Sequence, residues 1–575
     1  MEILKLLWQD NLVMLVNYKE DIIMKKRCLS LLFCITILAT FLVGCMNSKG
    51  ETSELEINDL DLETSSEMFS IRDMESGYDE DNSTIITLIE KGIQVNSKNV
   101  SVVENIATIS DEGTYILRGI LSDVQIVVDA EKTDKIQIVL DNVEIGNTSS
   151  APIYVKQADK VFITLGDDSQ NRISVKGEFI AIDDNNIDAA IFSKDDLTIN
   201  GDGTLTIDNQ YGNGITSKDD LKVTNGVYNI NVTGHGLEGK DSVRIANGEF
   251  NIISGKDGIN ASNSDDNTLG FVYIAGGNFE INSLDDGIHA DSNVIIEDGN
   301  INIIKSYEGI EGKSIDINGG TISLVASDDG INATGGKNAS SADGKLGKGD
   351  IDKGIYIRIT GGIINIDAAG DGIDSNGDLY ITGGETYISG PESNGDSALD
   401  YDGTAHISGG IVVATGASGM AENFGNDSTQ GSMLITSKDM QSGDVNLKNS
   451  SGDEIISYTQ SKQYNSVVIS TPDLKIGETY TITMGDEVQE IEMTSLIYGN
   501  GRGPGGGGRP NFGDGPKGEM PEGMDRPERP EGMEKPERPN GAKKPERSEG
   551  VDKLTDNEGK NKEMPSNSED MDSGE

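Results

Sequence analysis

A short phrase built around one glycine returns at nearly constant spacing through the middle of this 575-residue chain. The repeated glycines are Gly214, Gly236, Gly258, Gly287, Gly309, Gly330 and Gly372. Successive differences in residue number are 22, 22, 29, 22, 21 and 42, so the basic period is about 22 residues. A period of this length is typical of a solenoid, and the longer intervals indicate loops inserted at one corner of a turn.

The segments around this phrase predict strands rather than helices. They are short, rich in β-branched residues and bounded by Gly, Asn and Asp. One position of every repeat carries an apolar residue, and such stacked positions form the interior of a parallel β-coil: Ile191, Ile215, Leu237, Ile259, Ile288, Ile310, Ile331, Ile373 and Leu399. The sequence therefore predicts an all-β solenoid over 120–420. Because open sheet edges invite pairing, we expect β-rich caps over 85–119 and 421–498.

Pairs that end in glycine recur near the next corner of each repeat. They are Asn225-Gly226, Asn247-Gly248, Gly276-Gly277, Asp298-Gly299, Gly319-Gly320, Gly361-Gly362, Gly383-Gly384 and Gly409-Gly410. Such pairs suit turns that need a positive φ. We assign them to corners rather than to phosphate binding, since no GxGxxG or Walker-type loop leads into a helical pattern.

Residues 24–45 have the pattern of an export signal. A Lys-Lys-Arg cluster precedes an apolar run that is too short to span a bilayer comfortably. The closing Leu-Val-Gly-Cys is similar to a bacterial lipobox, in which Cys45 would carry lipid and become the mature N-terminus. An ordinary signal peptide with a chance cysteine is the alternative. The lipobox predicts an exported protein that is lipid-anchored to the cell membrane and faces outward.

The remaining terminal segments carry little folding information. Residues 1–23 precede a complete signal and are interpreted as a dispensable or untranslated extension. Residues 46–84 are polar and predict a flexible tether, and 499–575 are Gly-rich and then Pro-, Glu- and Arg-rich, which predicts disorder. Because Cys28 and Cys34 leave with the signal, the exported chain has no disulfide available.

The charge balance excludes one class of partner. The chain has 46 basic and 98 acidic residues, a formal net charge of −52 at pH 7. Nucleic acid binding requires a basic surface, so nucleic acid is not an expected partner. Strong acidity in an exported protein is compatible with calcium loading, and it is equally compatible with simple solubility.

Acidic residues cluster just before and after the repeated glycine. Like charges stacked about 4.8 Å apart on successive turns repel unless a cation intervenes. Calcium takes six to eight oxygen ligands from such acidic loops. We therefore expect a calcium site assembled across turns from Asp257, Asp285, Asp286, Asp328, Asp329, Asp371, Asp374, Asp396, Asp400 and Asp402, with Glu308 in the same column. The alternative is a series of Asp-Gly turns whose carboxylates bond only to their own backbone.

A second set of charges is basic. Lys156, Lys194, Lys218, Lys240 and Lys313 fall at equivalent positions of their repeats. They are interpreted as a stripe that meets carboxylates along an acidic polymer, or as a solvated face paired with neighbouring aspartates. Tyr154 and Tyr211 are candidate platforms for sugar rings, since the single tryptophan, Trp8, lies upstream of the signal.

The repeats resemble a known family. SKDDLTINGDGTLTI, NGITSKDDLKVTNG and the preceding APIYVKQADKVFITL are similar to bacterial exported carbohydrate-binding proteins, typified in cellulolytic clostridia, that have a right-handed parallel β-helix. The resemblance covers about 85–492. It implies a pectate-lyase-like coil that binds calcium, cellulose and acidic plant polysaccharide such as polygalacturonate, without an established lyase activity.

Three functions remain open from sequence alone. The first is a monomeric binder of uronic-acid-containing or cellulosic polysaccharide. The second is a calcium-dependent lyase, in which Lys313 would be the base that removes the proton next to a uronate carboxylate. A lysine repeated in a column is more typical of a binding stripe than of one catalytic group, which favours binding. A surface scaffold without a glycan ligand is the third.

Overall fold

The computed structural model describes residues 68–95, 97–334 and 354–499. The predicted signal 24–45, Cys45 and the predicted tail after residue 499 lie outside the described residues. Within the described part, the secondary structure is β-strand apart from isolated turns and one short 3₁₀-helix, Glu80–Asn82. A search of the same residues for a helix able to cross a membrane finds none.

The coil has three faces, and face 1 is a stack of parallel strands in one sheet. Its strands in the described residues are β6 (Gln125–Asp129), β8 (Ile153–Gln157), β11 (Ala189–Ser193), β14 (Asn213–Ser217), β17 (Leu237–Gly239), β20 (Ile259–Ala261), β23 (Ile288–Ala290), β26 (Ile310–Gly312), β29 (Ile331–Ala333), β32 (Ile373–Ser375) and β35 (Leu399–Tyr401). One strand of this stack belongs to each turn of the chain, which we call a rung. The predicted parallel β-solenoid is confirmed.

Faces 2 and 3 belong to a second, larger sheet. Face 2 is formed by the first half of β7 (Lys135–Asn147), then β9 (Lys160–Leu165), β12 (Asp196–Gly201), β15 (Asp220–Val223), β18 (Ser242–Ile245), β21 (Phe271–Ile274), β24 (Asn293–Ile296), β27 (Ser314–Ile317), β30 (Tyr356–Ile359), β33 (Asp378–Ile381) and β36 (Ala405–Ile407). Face 3 follows from the second half of β7 with β10 (Gln170–Val175), β13 (Thr204–Asn209), β16 (Val227–Val232), β19 (Glu249–Ser254), β22 (Asn278–Ser283), β25 (Asn300–Ser306), β28 (Thr321–Ala326), β31 (Ile363–Ala368), β34 (Glu385–Ser389) and β37 (Ile411–Gly416).

Antiparallel strands lie at both ends of the coil. The N-terminal strands are β1 (Thr84–Ile89), β2 (Gly92–Val95), β3 (Val100–Val103), β4 (Ile106–Ile109) and β5 (Gly113–Leu121), with β1–β2 and β3–β4 as hairpins. The C-terminal strands are β38 (Ser432–Gln441), β39 (Val445–Asn449), β40 (Glu454–Tyr458), β41 (Tyr464–Ser470), β42 (Thr479–Met484), β43 (Glu487–Glu492) and β44 (Ile497–Tyr498). Parallel pairing already joins β1 to β5 and β5 to β7, so it begins within the segment predicted as the N-terminal cap.

The predicted apolar column forms the core behind face 1. Ile191 pairs with Ile153 on one side and with Ile215 on the other, and the same register continues to Leu399. Every side chain of the column is buried. Since parallel strands place equivalent residues on top of one another, the 22-residue period converts directly into this stack.

The repeated positions and the corner positions require glycine for different structural reasons. All eight corner glycines that end the predicted pairs have a positive φ, as expected for turns. The repeated glycines are required instead by close approach to the next rung. A Cβ on Gly309 would lie 2.3 Å from the carbonyl oxygen of Gly330, and a Cβ on Gly330 would lie 2.5 Å from that of Gly372.

Gly309→Ala is therefore expected to destabilise the coil by about 1–3 kcal/mol, because the added methyl group forces two rungs apart. Gly395→Ala is the matched control, since a Cβ there meets only Ser393 Oγ at 3.9 Å. Denaturant unfolding of both variants checks this prediction. Equal stability of the two would show that the rungs separate at no cost.

The segment before the coil does not match the predicted tether over 46–84. Its described part begins at Met68, which is buried, and Asp73 is completely buried against face 2. The prediction of a flexible tether is therefore wrong for this part. Polar composition suggested a solvated chain, but buried ion pairs of Asp73 with coil lysines fix the segment on the surface.

Candidate functional site

The predicted acidic residues before the repeated glycine do form a column on successive rungs of face 1. The N–H of Gly258 donates to the carbonyl of Asp286 at 2.9 Å, and the N–H of Gly309 donates to that of Asp329 at 3.0 Å. We call this set the acidic column: Asp257, Asp286, Glu308, Asp329 and Asp371. His235 holds the equivalent position one rung before Asp257.

The acidic column has a structural role as well as an electrostatic one. The backbone N–H of Asp286 donates to Asp257 Oδ1 at 3.1 Å, and that of Glu308 donates to Asp286 Oδ1 at 3.2 Å. The N–H of Asp371 donates to Asp329 Oδ1 at 2.6 Å. Each carboxylate thus ties its rung to the next one, rather than bonding only within its own turn.

A second column lies beside the first, on the outward side of the face 1 strands. Its members pair in register along the sheet and form the outer column: Glu238, Asn260, His289, Glu311, Asn332, Asp374 and Asp400. Of these, only Asp374 and Asp400 were predicted from the sequence as site residues. The other members vary in residue type, so no repeated letter marks the column.

His289 lies at the centre of the first half of the site. Its Nδ1 lies 2.6 Å from Glu311 Oε2 and 3.4 Å from Asp286 Oδ2, and its Nε2 lies 3.4 Å from Asp291 Oδ1. Burial alone would lower the pKa of His289, but hydrogen bonds to these three carboxylates raise it to about 12. The histidine is therefore a cation that partly neutralises this half of the site.

The carboxylates around His289 line an open cleft of about 460 Å³. Its walls are His235, Glu238, Asp257, Asn260, Ser262, Asp285, Asp286, His289, Tyr307, Glu308 and Glu311. Asp257, Asp285 and Asp286 bring ligand atoms within 4.8 Å of one another, as do Asp286, His289 and Glu311. Burial, followed by repulsion from Glu311 and Asp286, raises the pKa of Glu308 to about 9.

A second acidic group lies further along the same face. Asp329, Asp371 and Asp374 bring ligand atoms within 4.8 Å of one another. Burial is the largest cause of the raised pKa of each of these carboxyl groups, and the charges of neighbouring carboxylates raise it further. The pKa is raised to about 6 for Asp329, about 7 for Asp371 and about 8 for Asp374.

The other predicted acidic residues gather around this second group. Asp400 lies next to Asp374 in the outer column, and the charges of Asp400 and Asp402 raise the pKa of Asp374. Asp328 and Asp396 act in the same way on Asp329. The ten predicted aspartates therefore form two groups on face 1, with Asp257, Asp285 and Asp286 in the first and the others in the second.

Asn332 lies in the outer column between Glu311 and Asp374. Its amide nitrogen donates to Glu308 Oε2 at 3.0 Å, while its Oδ1 is buried without a hydrogen-bond partner. A buried amide oxygen without a donor is costly, and amide oxygens are calcium ligands. The donor set of the second group, carboxylate oxygens with one orphaned amide oxygen, therefore fits a hard divalent cation.

The predicted basic column is in register, but its charges are largely paired. Four of the lysines directly follow the last residue of their face 1 strands, whereas Lys156 lies within β8. Ser262 and Asp291 interrupt the column between Lys240 and Lys313. Lys156 lies 2.7 Å from Asp129, and Lys240 lies 2.7 Å from Asp265.

Two further lysines complete this column upstream of the interruption. Lys218 lies 3.7 Å from Asp188 and 3.6 Å from Glu238. Lys194 is exposed. Four ion pairs made by three lysines of the column are the arrangement expected of a solvated charged face.

The two predicted tyrosine platforms differ. Tyr154 is buried, donates to Asp183 Oδ2 at 2.6 Å and packs against Phe192, so its ring offers no face to a sugar. Tyr211 is 46% exposed and remains a candidate. Tyr307 lines the cleft and is 48% exposed. Its position directly before Glu308 in the repeat is the feature of the sequence that indicates a place beside the acidic column.

Fold and site together define a parallel β-helix protein with an oxygen-rich acidic cleft along one face. Residues 103–354 match the family described as carbohydrate-binding domain-containing protein. The match covers less than half of the chain, and it lies within the N-terminal cap strands and the coil.

Two known proteins are similar to parts of the chain. A carbohydrate-binding domain-containing protein from Acetivibrio thermocellus is 43% identical over 114 residues, 19% of this chain and 40% of that protein. The chain thus spans less than half the length of this relative. A solved structure of the polysaccharide lyase-like protein from C. thermocellum, a gadolinium derivative, is 34% identical and covers 41% of this chain and 92% of that one, with a TM-score of 0.35.

Proposed function

We propose that this protein binds acidic, uronic-acid-containing polysaccharide such as polygalacturonate through calcium held on face 1 by the second acidic group, next to the cleft. Cellulose is a further candidate ligand. In this proposal the chain is exported, anchored by lipid on Cys45, and presents the coil outside the cell. The match of residues 103–354 to a carbohydrate-binding family supports a polysaccharide as the partner.

The observation that carries the proposal is the second acidic group with Asn332. Asp329, Asp371 and Asp374 converge without a histidine among them, and the neighbouring Asn332 Oδ1 lacks a donor. Counted at one oxygen from each residue, this group supplies fewer than the six to eight oxygens that calcium takes, so positions remain for ligands from outside. A uronate carboxylate is an oxygen ligand of the required kind, and calcium would bridge it to the protein.

The aromatic content of the chain also favours recognition of the polysaccharide by charge over stacking on sugar rings. Stacking on neutral sugars needs exposed flat rings, and Tyr154 is buried. The single tryptophan precedes the predicted signal. Tyr211 and Tyr307 are the exposed tyrosines that we assign to sugar contacts.

A calcium-dependent lyase is the second candidate, because Lys313 lies near the cleft. Lys313 follows β26, whose Glu311 is in the outer column between His289 and Asn332. A lysine at this place could remove the proton next to a calcium-bound uronate carboxylate. The column that contains it is otherwise a set of paired surface lysines, and this supports binding over cleavage.

The two functions separate in one experiment. The purified chain is titrated with polygalacturonate and with cellulose, with calcium and with a chelator, while absorbance of unsaturated uronate is followed. We expect calcium-dependent binding of polygalacturonate without growth of that absorbance. Growth that Lys313→Met abolishes would establish the lyase, and binding to no glycan would leave a structural scaffold. Unchanged affinity after complete chelation would exclude a calcium bridge at the second acidic group.

A further inference from the structure

An irregular segment with turns at 71–74, residues 68–78, crosses the strands of face 2 along the coil axis, and we call it the strap. At one end Met68 packs with Tyr273 and Ile295. At the other end Gln137 Nε2 donates to the carbonyl of Gly77 at 3.5 Å. The strap therefore covers the outward column of face 2 on seven successive strands: Gln137, Phe162, Thr198, Lys222, Arg244, Tyr273 and Ile295.

The strap is held by coil side chains and joins neither sheet. None of its described residues belongs to a strand, and its own backbone bonds are local turns, such as Asp73 N–H to Ser70 at 3.1 Å. Asn200 Nδ2 donates to the carbonyls of Asp73 at 3.2 Å and Glu75 at 3.0 Å. Arg244 Nη1 donates to the carbonyl of Met68 at 3.3 Å. Apart from Arg72, whose Nη2 donates to Gln137 Oε1 at 3.3 Å, the coil offers the donors and the strap offers the acceptors, as a bound polymer would.

One strap carboxylate enters a buried cationic pocket. Asp73 is 0% exposed, and its Oδ1 lies 2.7 Å from Lys160 Nζ and accepts a hydrogen bond from Thr198 Oγ1 at 2.7 Å. Its Oδ2 lies 3.8 Å from Lys222 Nζ. Burial alone would raise the pKa of Asp73, but the hydrogen bonds with Lys160 and Thr198 hold it well below the usual range.

Without the strap, this pocket has an excess of positive charge. Lys160, Lys222 and Arg244 face two coil carboxylates, Asp220 and Asp196. Asp220 lies 3.7 Å from Lys222 and 3.2 Å from Arg244. Three cations against two carboxylates leave one unmatched cation, which is costly at a partly buried site. Asp73 supplies the missing negative charge.

Aromatic rings flank the pocket on the same face. Lys160 Nζ lies 5.5 Å from the ring centre of Phe162, and Arg244 Cζ lies 4.9 Å from that of Phe271. Tyr273 lies 6.3 Å from the strap's Phe69. Rings, cations and side-chain donors at rung spacing are the chemistry that binds a sugar chain with carboxylates.

We propose that face 2 between β7 and β24 is a second, calcium-independent binding site for a linear polyuronate, and that the strap covers it, with Asp73 in the place of a uronate carboxylate. A polyuronate presents carboxylates and other acceptor oxygens along its length, which match the donors that hold the strap. The ligand exchanges with the strap and leaves the coil unchanged. This site is on a different face from the calcium cleft and needs none of its residues.

Asp73→Arg in the full chain tests the site, because it sets a cation against Lys160 and Lys222 and expels the strap. Binding of oligogalacturonate is measured by calorimetry in excess chelator, with circular dichroism as the check on folding. We expect affinity at least about tenfold above that of the unmodified chain, lost again when Lys160→Met is added. No gain in a folded variant, or a gain that survives Lys160→Met, would overturn the proposal. Preference for poly-aspartate over oligogalacturonate would assign the site to acidic peptides instead.

A measurement without substitution covers the case in which Asp73→Arg does not fold. Hydrogen exchange of the strap amides is followed in the unmodified chain, in chelator, with and without excess oligogalacturonate. Faster exchange confined to the strap is expected as the polymer displaces it. Unchanged exchange at saturating polymer would refute displacement. Chelator abolishes calcium-dependent binding at face 1, so a negative result in these two experiments leaves the proposed function of face 1 intact. A negative result for calcium-dependent binding likewise leaves the site on face 2 intact.

Discussion

Replacement of Asp374 by Asn is expected to lower calcium affinity by at least about tenfold, since loss of a ligand costs no less than loss of a residue that supports one. Asp374 gives the clearest test of calcium ligation, because Asp329 and Asp371 also accept hydrogen bonds from backbone N–H groups of the next rung. Isothermal titration of calcium measures the change. Glu280→Gln is the control, because it removes one exposed carboxylate from face 3.

Asn332→Ala separates ligation from charge in the same titration. This variant removes the orphaned Oδ1 but leaves the number of carboxylates unchanged. A loss of calcium affinity would assign the amide oxygen to the ion, whereas general attraction to a negative surface predicts no loss. Equal affinity of Asp374→Asn, Asn332→Ala and Glu280→Gln would contradict a defined site at the second acidic group.

The interior of the coil was predictable from sequence because its period fixes its register. Once residues 22 apart are stacked, the apolar column from Ile191 to Leu399 and the acidic column follow without further information. The position of the repeated glycine, directly before the apolar residue of each rung, was also predictable. The reason that the position requires glycine was not. Only the structure shows that Gly309 faces the carbonyl oxygen of Gly330 on the next rung.

The outer column escaped prediction because its residue type changes from rung to rung over most of its length. Asn260, His289, Glu311 and Asn332 share a location and a direction, but no two neighbours among them are the same residue, so a search for repeated letters passes over them. The sequence also gives no sign that His289 meets carboxylates from its own rung and the next one.

Contacts between residues that are far apart in sequence account for the other differences between the predictions and the structure. Two lysines of the basic column, Lys156 and Lys240, are paired with Asp129 and Asp265, which lie outside the repeated phrase. The strap was read as tether because residues 46–84 have no period, and Asp73 meets Thr198 across 125 positions of sequence. A single carboxylate in a polar segment gives no sign of a cationic pocket that exists only after the rungs have stacked.

In chelator, the protein is expected to lose thermal stability as the pH rises from about 4 to about 8. The pKa values of Asp329, Asp371 and Asp374 are raised in the folded state to about 6, about 7 and about 8, while an unfolded aspartate titrates near 3.9. The folded chain therefore binds more protons than the unfolded chain across this window. Stability from these groups is complete below the unfolded pKa and is lost through the folded values.

Saturating calcium is expected to remove most of this decline, because the ion binds the deprotonated carboxylates and releases their protons. Thermal unfolding at a series of pH values, with calcium and with chelator, measures both slopes. Repulsion among all the acidic residues also weakens the fold as the pH rises, so variants must separate the two causes. Asp374→Asn should flatten the chelator slope near pH 8, where the folded pKa of Asp374 lies, and Glu280→Gln should not. A melting temperature that rises with pH in chelator would refute the raised pKa values, and with them the close packing of carboxylates from which the calcium site is inferred.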